Sequence, residues 1–225
     1  MLLDSFLDNK EHVIWDWNGT LLDDVDLCVE SISEILRRYG LSPITRDTYR
    51  REFRFPVVEY YRAIGLGSSG APFEQVADEF IEYYQARVHR CRLYNGTREC
   101  LERLSERGVG HSLLSAAKQD HIMEQLAPHR IESYFEHVCG IADHYASGKI
   151  ERGRELLGRL DLPKDSVILI GDTDHDLEVA KSLGVDVLLL GDGHQAFERL
   201  KHLHSRVLPS RTAVEFAWDK GDAIR

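Results

Sequence analysis

Asp16-Trp17-Asn18-Gly19-Thr20 follows the short run His12-Val13-Ile14-Trp15, and this junction decides the fold. The run reads as a buried strand. A carboxylate at a strand end, followed by Gly and Thr in a turn, lies where open parallel α/β sheets bind ligands. Four further strand candidates come later: Val109 to Ser115, His137 to Ile141, Val167 to Ile170 and Val185 to Leu190. Helical patterns separate them, notably Ile150–Leu160 and Asp176–Leu183, the latter closed by Gly184. Thr97 is positioned to cap another, which stops at Gly108. Strands alternating with helices predict an α/β fold with a doubly wound parallel sheet.

Between the first strand and the others the grammar is helical. Val25, Cys28, Val29, Ile32, Ile35, Leu36 and Tyr39 mark one helix face that ends at Gly40. A second helix begins near Pro56 and carries Val57, Tyr60, Tyr61 and Ile64. After a Gly/Ser loop at 65–70, a third runs from Pro72 through Val76, Phe80, Tyr84 and Val88. Residues 24–92 therefore read as an all-helical domain inserted into an α/β core formed by 1–23 and 93–225.

The 225 residues carry a net charge of −10, which argues against nucleic acid or an anionic membrane as partner. No lysine occurs between Glu11 and Ala117, whereas arginine is frequent. Cys28, Cys91, Cys100 and Cys139 show no metal or disulfide spacing and read as reduced thiols. With no signal-peptide pattern and no apolar run near the ~20 residues that span a bilayer, the expectation is a soluble, cytoplasmic protein.

Gly171-Asp172-Thr173-Asp174-His175-Asp176 follows the strongest strand. Asp172 and Asp176 can converge on one hard cation, and Mg²⁺ beside a phosphate needs only one or two carboxylates. They could equally cap a helix and complement its dipole. Ser115 could bond a phosphate oxygen at a helix N-terminus or serve only as an N-cap. Lys149, in Ser147-Gly148-Lys149, could neutralise phosphate charge or be a solvated surface lysine.

Each of these signals comes at or just beyond a strand end, in the order nucleophile, hydroxyl, lysine, acid pair. In that order they resemble the four motifs of the haloacid dehalogenase superfamily, whose first motif is usually Asp-x-Asp-Gly-Thr. The helical insertion resembles the superfamily's C1-type cap. Phe53-Arg54-Phe55-Pro56, Tyr60-Tyr61 and Gly193-His194-Gln195 are similar to the phosphoglycolate-phosphatase-like branch. The resemblance implies a Mg²⁺-dependent phosphatase acting on a small phosphorylated metabolite, with Asp16 forming an aspartyl-phosphate. It further implies Asp16, Asn18 (through its carbonyl), Asp172 and Asp176 around the metal. Ser115, Ala116 and Lys149 would hold the phosphate, and Thr20 would join them in substrate binding while supporting the loop.

Asn18 breaks the pattern, because the superfamily's general acid/base is an Asp there. A carboxamide can hydrogen-bond but cannot exchange a proton at neutral pH. Another group, such as Asp23, Asp24 or a residue of the helical domain, could replace it; His175 reads as a polar helix-turn position. Good leaving groups, such as aryl or acyl phosphates, could remove the need. Or the chain could be a catalytically weakened binding or regulatory protein. A phosphonate hydrolase would need a cap lysine, a dehalogenase would not need the metal acids, and a phosphomutase would need the missing acid/base. Among the insert's arginines, Arg54 is the candidate for reading a second anionic group on the substrate. Monomer and homodimer both remain open.

Overall fold

The first strand of the chain is the centre of the sheet. The computed structural model describes residues 6–7, 9–141 and 148–210. β1 (His12–Trp15) is buried at every position. It is flanked in parallel by β4 (Gly110–Lys118) and β6 (Val167–Gly171). β5 (His137–Ile141) extends one side, and β7 (Asp186–Leu190) and β8 (Val207–Leu208) the other, giving the order β5-β4-β1-β6-β7-β8. After β1 the chain builds one half of the sheet and then returns for the other. That reversal opens a crevice at the carboxyl end of β1.

Successive side chains on a strand face opposite ways, and the core divides accordingly. Val13, Trp15, Leu113, Ile168 and Ile170 enter one apolar cluster, while Ile14, Leu114 and Leu169 enter the other. Burial on both faces explains why these strands read as continuous apolar runs.

Between β1 and β4 lie α1 (Val25–Arg38), α2 (Arg46–Glu52), α3 (Val57–Ala63) and α4 (Phe73–Gln85). A two-stranded antiparallel ribbon, β2 (Leu22–Asp23) with β3 (Arg92–Leu93), ties the entrance of this helical insert to its exit. α2 is pinned to the loop after β7. The Arg50 guanidinium donates to the carbonyls of Gly193 (2.8 Å), Gln195 (3.2 Å) and Gly191, and Ala196 N–H returns a bond to Arg50 O at 3.0 Å.

After the insert come α5 (Thr97–Glu106), α6 (Gln119–Leu126), α7 (Gly148–Leu160), α8 (Asp174–Leu183) and α9 (Phe197–Leu203). Several local expectations are corrected. Gly96, at positive φ, is the N-cap of α5, so Thr97 is already inside the helix. The helix expected to run from Pro72 to Val88 stops at Gln85 and is followed by a 3₁₀ turn, Val88–Arg90. β4 continues to Lys118, so Ser115 belongs to the strand and not to a helix N-terminus. All four cysteines are free. Among the described residues, no helix is long and apolar enough to cross a membrane.

Two buried histidines give the core a pH dependence. His111 Nδ1 accepts from Trp15 Nε1 at 3.1 Å, and His12 Nε2 meets Ser112 Oγ at 2.9 Å. Burial lowers both rings from 6.5 to about 4. A depressed pKa means that the unfolded chain binds more protons within this window. Their stability contribution is complete above pH 6.5 and is lost as pH falls towards 4. Urea unfolding should show each ring weakening the folding constant by up to ~10-fold per pH unit across that window. A His12→Gln, His111→Gln double variant should have a flatter profile; an unchanged slope contradicts the assignment.

Candidate active site

The loop leaving β1 is wound around one carbonyl. Trp17 O accepts from the backbone N–H groups of Thr20 (3.3 Å), Leu21 (2.9 Å) and Leu22 (3.0 Å). The turn needs a positive φ of 71° at Gly19, and a Cβ there would collide with the Asp172 carboxylate and the His194 ring. Glycine therefore lets the loops after β1, β6 and β7 converge.

Asp16 is buried at the end of β1. Lys149, in the first turn of α7, reaches back to it, with Nζ 2.5 Å from Asp16 Oδ1 and 2.6 Å from Asp176 Oδ1. Asp176 Oδ2 accepts from Asp172 N (3.1 Å), Thr173 N (3.0 Å) and Thr173 Oγ1 (2.7 Å), forming a capping box with Thr173. Asp172 accepts from Thr20 Oγ1 at 2.8 Å and from His194 N at 2.5 Å. Carboxylate oxygens of Asp16, Asp172 and Asp176 lie within 4.8 Å of one another.

Three buried carboxylates thus cluster around one ammonium, which pairs with two of them. Burial, reinforced by Asp176 and Asp172, raises Asp16 to about 8 against the opposing pull of Lys149. Burial also raises Asp172, whereas Asp176 is lowered because Lys149 and Thr173 outweigh its own burial. Lys149 is raised by the two carboxylates that hold it. The net negative charge and the all-oxygen donor set suit a hard divalent cation. Both oxygens of Asp176 and both oxygens of Asp172 take protein hydrogen bonds, whereas Lys149 engages Asp16 through Oδ1, so Asp16 is the most available donor of the three.

A second buried cluster adjoins the first. Asp24 accepts from Gly19 N (2.8 Å), Asn18 Nδ2 (2.9 Å) and Tyr84 Oη (2.6 Å), and lies 3.3 Å from His194 Nε2. Its neighbours hold Asp24 below the usual carboxylate range despite burial, and its charge raises His194 to about 9. His194 Nδ1 is 3.0 Å from Tyr49 Oη. Asp24, Cys28 and His194 also place ligand-type atoms close together, but Asp24 and His194 are already paired with each other.

Asn18 Nδ2 also donates to Tyr84 Oη at 2.9 Å. Asp24 is an acceptor only, so the amide nitrogen must face it. The amide nitrogen is thus held between Asp24 and Tyr84, and Oδ1 is its acceptor towards the cavity.

A cavity of about 230 Å³ joins this site to the insert. Asp16, Asn18, Ser115, Ala116 and Lys149 line it, and Ser115 Oγ also accepts from Ala117 N at 3.1 Å. Thr20 does not; its hydroxyl serves Asp172, which corrects the substrate-binding expectation for that residue. Arg54 does not line it either, since its guanidinium donates to the Glu52 carboxylate at 2.7 Å and to Glu52 O at 2.9 Å. His175 is no solvated turn residue: it is buried, lines the cavity and packs 4.7 Å from the Phe55 ring. Ser147 lies outside the described residues. Sequence reasoning names His194 only within Gly193-His194-Gln195 and Tyr84 only as a helix position, and gives no role to either or to Arg50. Gly191-Asp192-Gly193-His194 follows strand β7, so the strand-end rule that picked out Asp16 and Asp172 also points there.

Residues 13–190 match the haloacid dehalogenase-like hydrolase family. The chain belongs to this family. It is 28% identical to the phosphorylated carbohydrates phosphatase of Thermotoga maritima, over 84% of this chain and 90% of that one. It is 22% identical to a phosphoglycolate phosphatase of Rhodobacter capsulatus, over 81% and 85% of the two chains. Among solved structures, it is similar to Mycobacterium tuberculosis protein tyrosine kinase A, with TM-score 0.71 and 27% identity, over 83% of this chain and 86% of that one.

Removing one member of a buried ion pair typically costs about 3–5 kcal/mol. Lys149→Met should therefore lower unfolding free energy by roughly 3 kcal/mol at neutral pH. Urea denaturation checks this; a loss below ~1 kcal/mol, the range of exposed pairs, would show that the site tolerates its own charge.

Proposed function

We propose that this chain is a Mg²⁺-dependent phosphatase that hydrolyses a small phosphomonoester through an aspartyl-phosphate on Asp16. One observation carries the reading: a buried carboxylate at the central strand end, held by Lys149 beside Asp172 and Asp176, faces a cavity shared with the insert. The relatives named as phosphatases support the same reaction class.

Asp16 attacks phosphorus as the bond to the leaving oxygen breaks, its electron pair departing with that oxygen. Water then attacks the same phosphorus, the bond to Asp16 breaks, and the water proton leaves on phosphate or to solvent. Asp16, the Asn18 carbonyl and Asp172 would hold Mg²⁺, with Asp176 supporting them. Bound there, the ion neutralises charge on the phosphoryl oxygens. Lys149 fixes the orientation of Asp16 and, with Ser115 and the Ala116 backbone, holds the phosphoryl group. The helical insert, residues 24–92, acts as a cap that excludes water and selects the substrate. Asn18 accepts a hydrogen bond from the attacking water and donates no proton to the leaving group.

The test is phosphate release from a panel of aryl, acyl and alkyl phosphates, with and without Mg²⁺. Release that requires Mg²⁺ and disappears in Asp16→Asn is the expected result. Silence from folded protein favours a phosphometabolite-binding role, for which Asn18 is the supporting observation. Asn18→Asp would place a carboxylate against Asp24, where the two share a proton. It should raise kcat on alkyl phosphates by ~10-fold or more, the lower part of the range for general acid–base catalysis. Unchanged kcat would mean that another group already supplies the proton.

A further inference from the structure

The geometry points to a substrate class: the cavity is built for the monophosphate ester of a single aromatic ring, an aryl phosphate whose ring lies against Phe55 and Phe80 of the insert. The inference rests on the phosphatase reading and goes further, naming what leaves.

The insert's side of the cavity is aromatic and without base. Tyr49, Phe53, Phe55, Tyr60, Phe80 and Tyr84 all line it, and among the described residues no insert lysine or arginine does. The rings form two sets, one of Tyr49, Phe53, Phe55 and Tyr60 and one of Phe80 and Tyr84. Tyr49 stacks on Phe53 at 5.3 Å, Phe53 meets Phe55 at 5.4 Å edge-on, and Phe80 stacks on Tyr84 at 6.1 Å. Such walls favour a partner ring in offset or edge-on contact. On the insert's side a second anionic group would meet Asp78 and no cation; Lys118, Lys149 and the protonated His194 on this lining all come from the core, so the recognition expected of Arg54 has no counterpart on the insert.

A sugar fits poorly as well. Each buried hydroxyl needs a partner or costs free energy. On the insert's side the lining is apolar apart from Asp24, Asp78, Gln85 and the tyrosine hydroxyls, so most of a sugar's hydroxyls would lose water there without a partner. At about 230 Å³ the cavity also falls below the roughly 300–1,000 Å³ typical of drug-sized ligands.

Asn18 leads independently to the same class. Its amide nitrogen is held by Asp24 and Tyr84, and a carboxamide gives up no proton to a departing oxygen at neutral pH. An alkoxide needs that proton in the transition state. A phenolate does not: it leaves with the P–O electron pair, its charge delocalised into the ring, and is protonated afterwards by solvent. The residue missing from the site and the chemistry of the cavity therefore select the same leaving group.

Phenylphosphonate and methylphosphonate, which cannot be hydrolysed, separate ring recognition from turnover. Calorimetry on the wild-type chain with Mg²⁺ should show phenylphosphonate binding at least ~10-fold more tightly, worth ~1.4 kcal/mol. Phe55→Ala and, separately, Phe80→Ala should each erase most of that ratio. In turnover, phenyl phosphate should exceed acetyl phosphate in kcat/KM, and either variant should reduce that preference. Acetyl phosphate has a good leaving group and no ring. Equal binding of the two phosphonates, or higher kcat/KM for sugar phosphates than for phenyl phosphate, overturns the inference while leaving a phosphatase. No phosphate release from any compound overturns the phosphatase reading instead, and the binding ratio still decides whether the cavity takes a ring.

Discussion

The site is organised by one ammonium group shared between two buried carboxylates. Lys149 comes from the helix after β5, Asp16 from the end of β1 and Asp176 from the helix after β6. Three separate crossovers are thereby referred to a single point above the central strand. Removing ions from water is costly, so the arrangement depends on the short hydrogen bonds its charges take from one another and from Thr173 and Thr20. Asp176 illustrates this: one oxygen takes Lys149, and the other closes the N-terminus of α8 through Thr173. Asp16 emerges oriented, buried and short of neutralising charge, a state suited to a nucleophile that works beside a divalent cation.

The second constraint is the Asp24–His194 pair, which ties the chain just past β2 to the loop after β7. His194 reaches Asp172 through its backbone and Tyr49 through its ring, so it connects the acidic site with α2 of the insert. Arg50, bonded to three carbonyls of the same loop, fastens that helix from the other side. The helical insert is therefore attached to the sheet beside the residues it covers. The same pair explains Asn18, since Asp24 fixes its amide in an orientation that leaves Oδ1 as its acceptor towards the cavity.

Much of this was legible in the sequence because buried parallel strands announce themselves as apolar runs and their ends carry the chemistry. Asp16, Ser115, Lys149 and Asp172 were found by position relative to such runs, and the structure brings them to one crevice. Thr20 was found too, but a short hydroxyl in a tight turn could serve either a ligand or a neighbouring carboxylate, and spacing does not choose between them. Arg54 was misjudged for a related reason: Glu52, two residues away, satisfies its guanidinium locally. The roles of His194 and Tyr84 were not legible because they depend on long-range pairing with Asp24, which no local pattern encodes. The aromatic cavity was hidden as well, since Phe53, Tyr60, Phe80 and Tyr84 carry the same periodicity whether they fill a core or line a pocket.

The most direct measurement is acid quench during turnover of phenyl phosphate with Mg²⁺, followed by intact mass and peptide mapping. Without a general base at position 18, hydrolysis of the intermediate is the slow half, so phosphoenzyme should accumulate. The account expects one added phosphoryl group per chain, located on the peptide containing Asp16 and absent from Asp16→Asn. Turnover with no covalent phosphate on that peptide, or with the phosphoryl group on another residue, would contradict it.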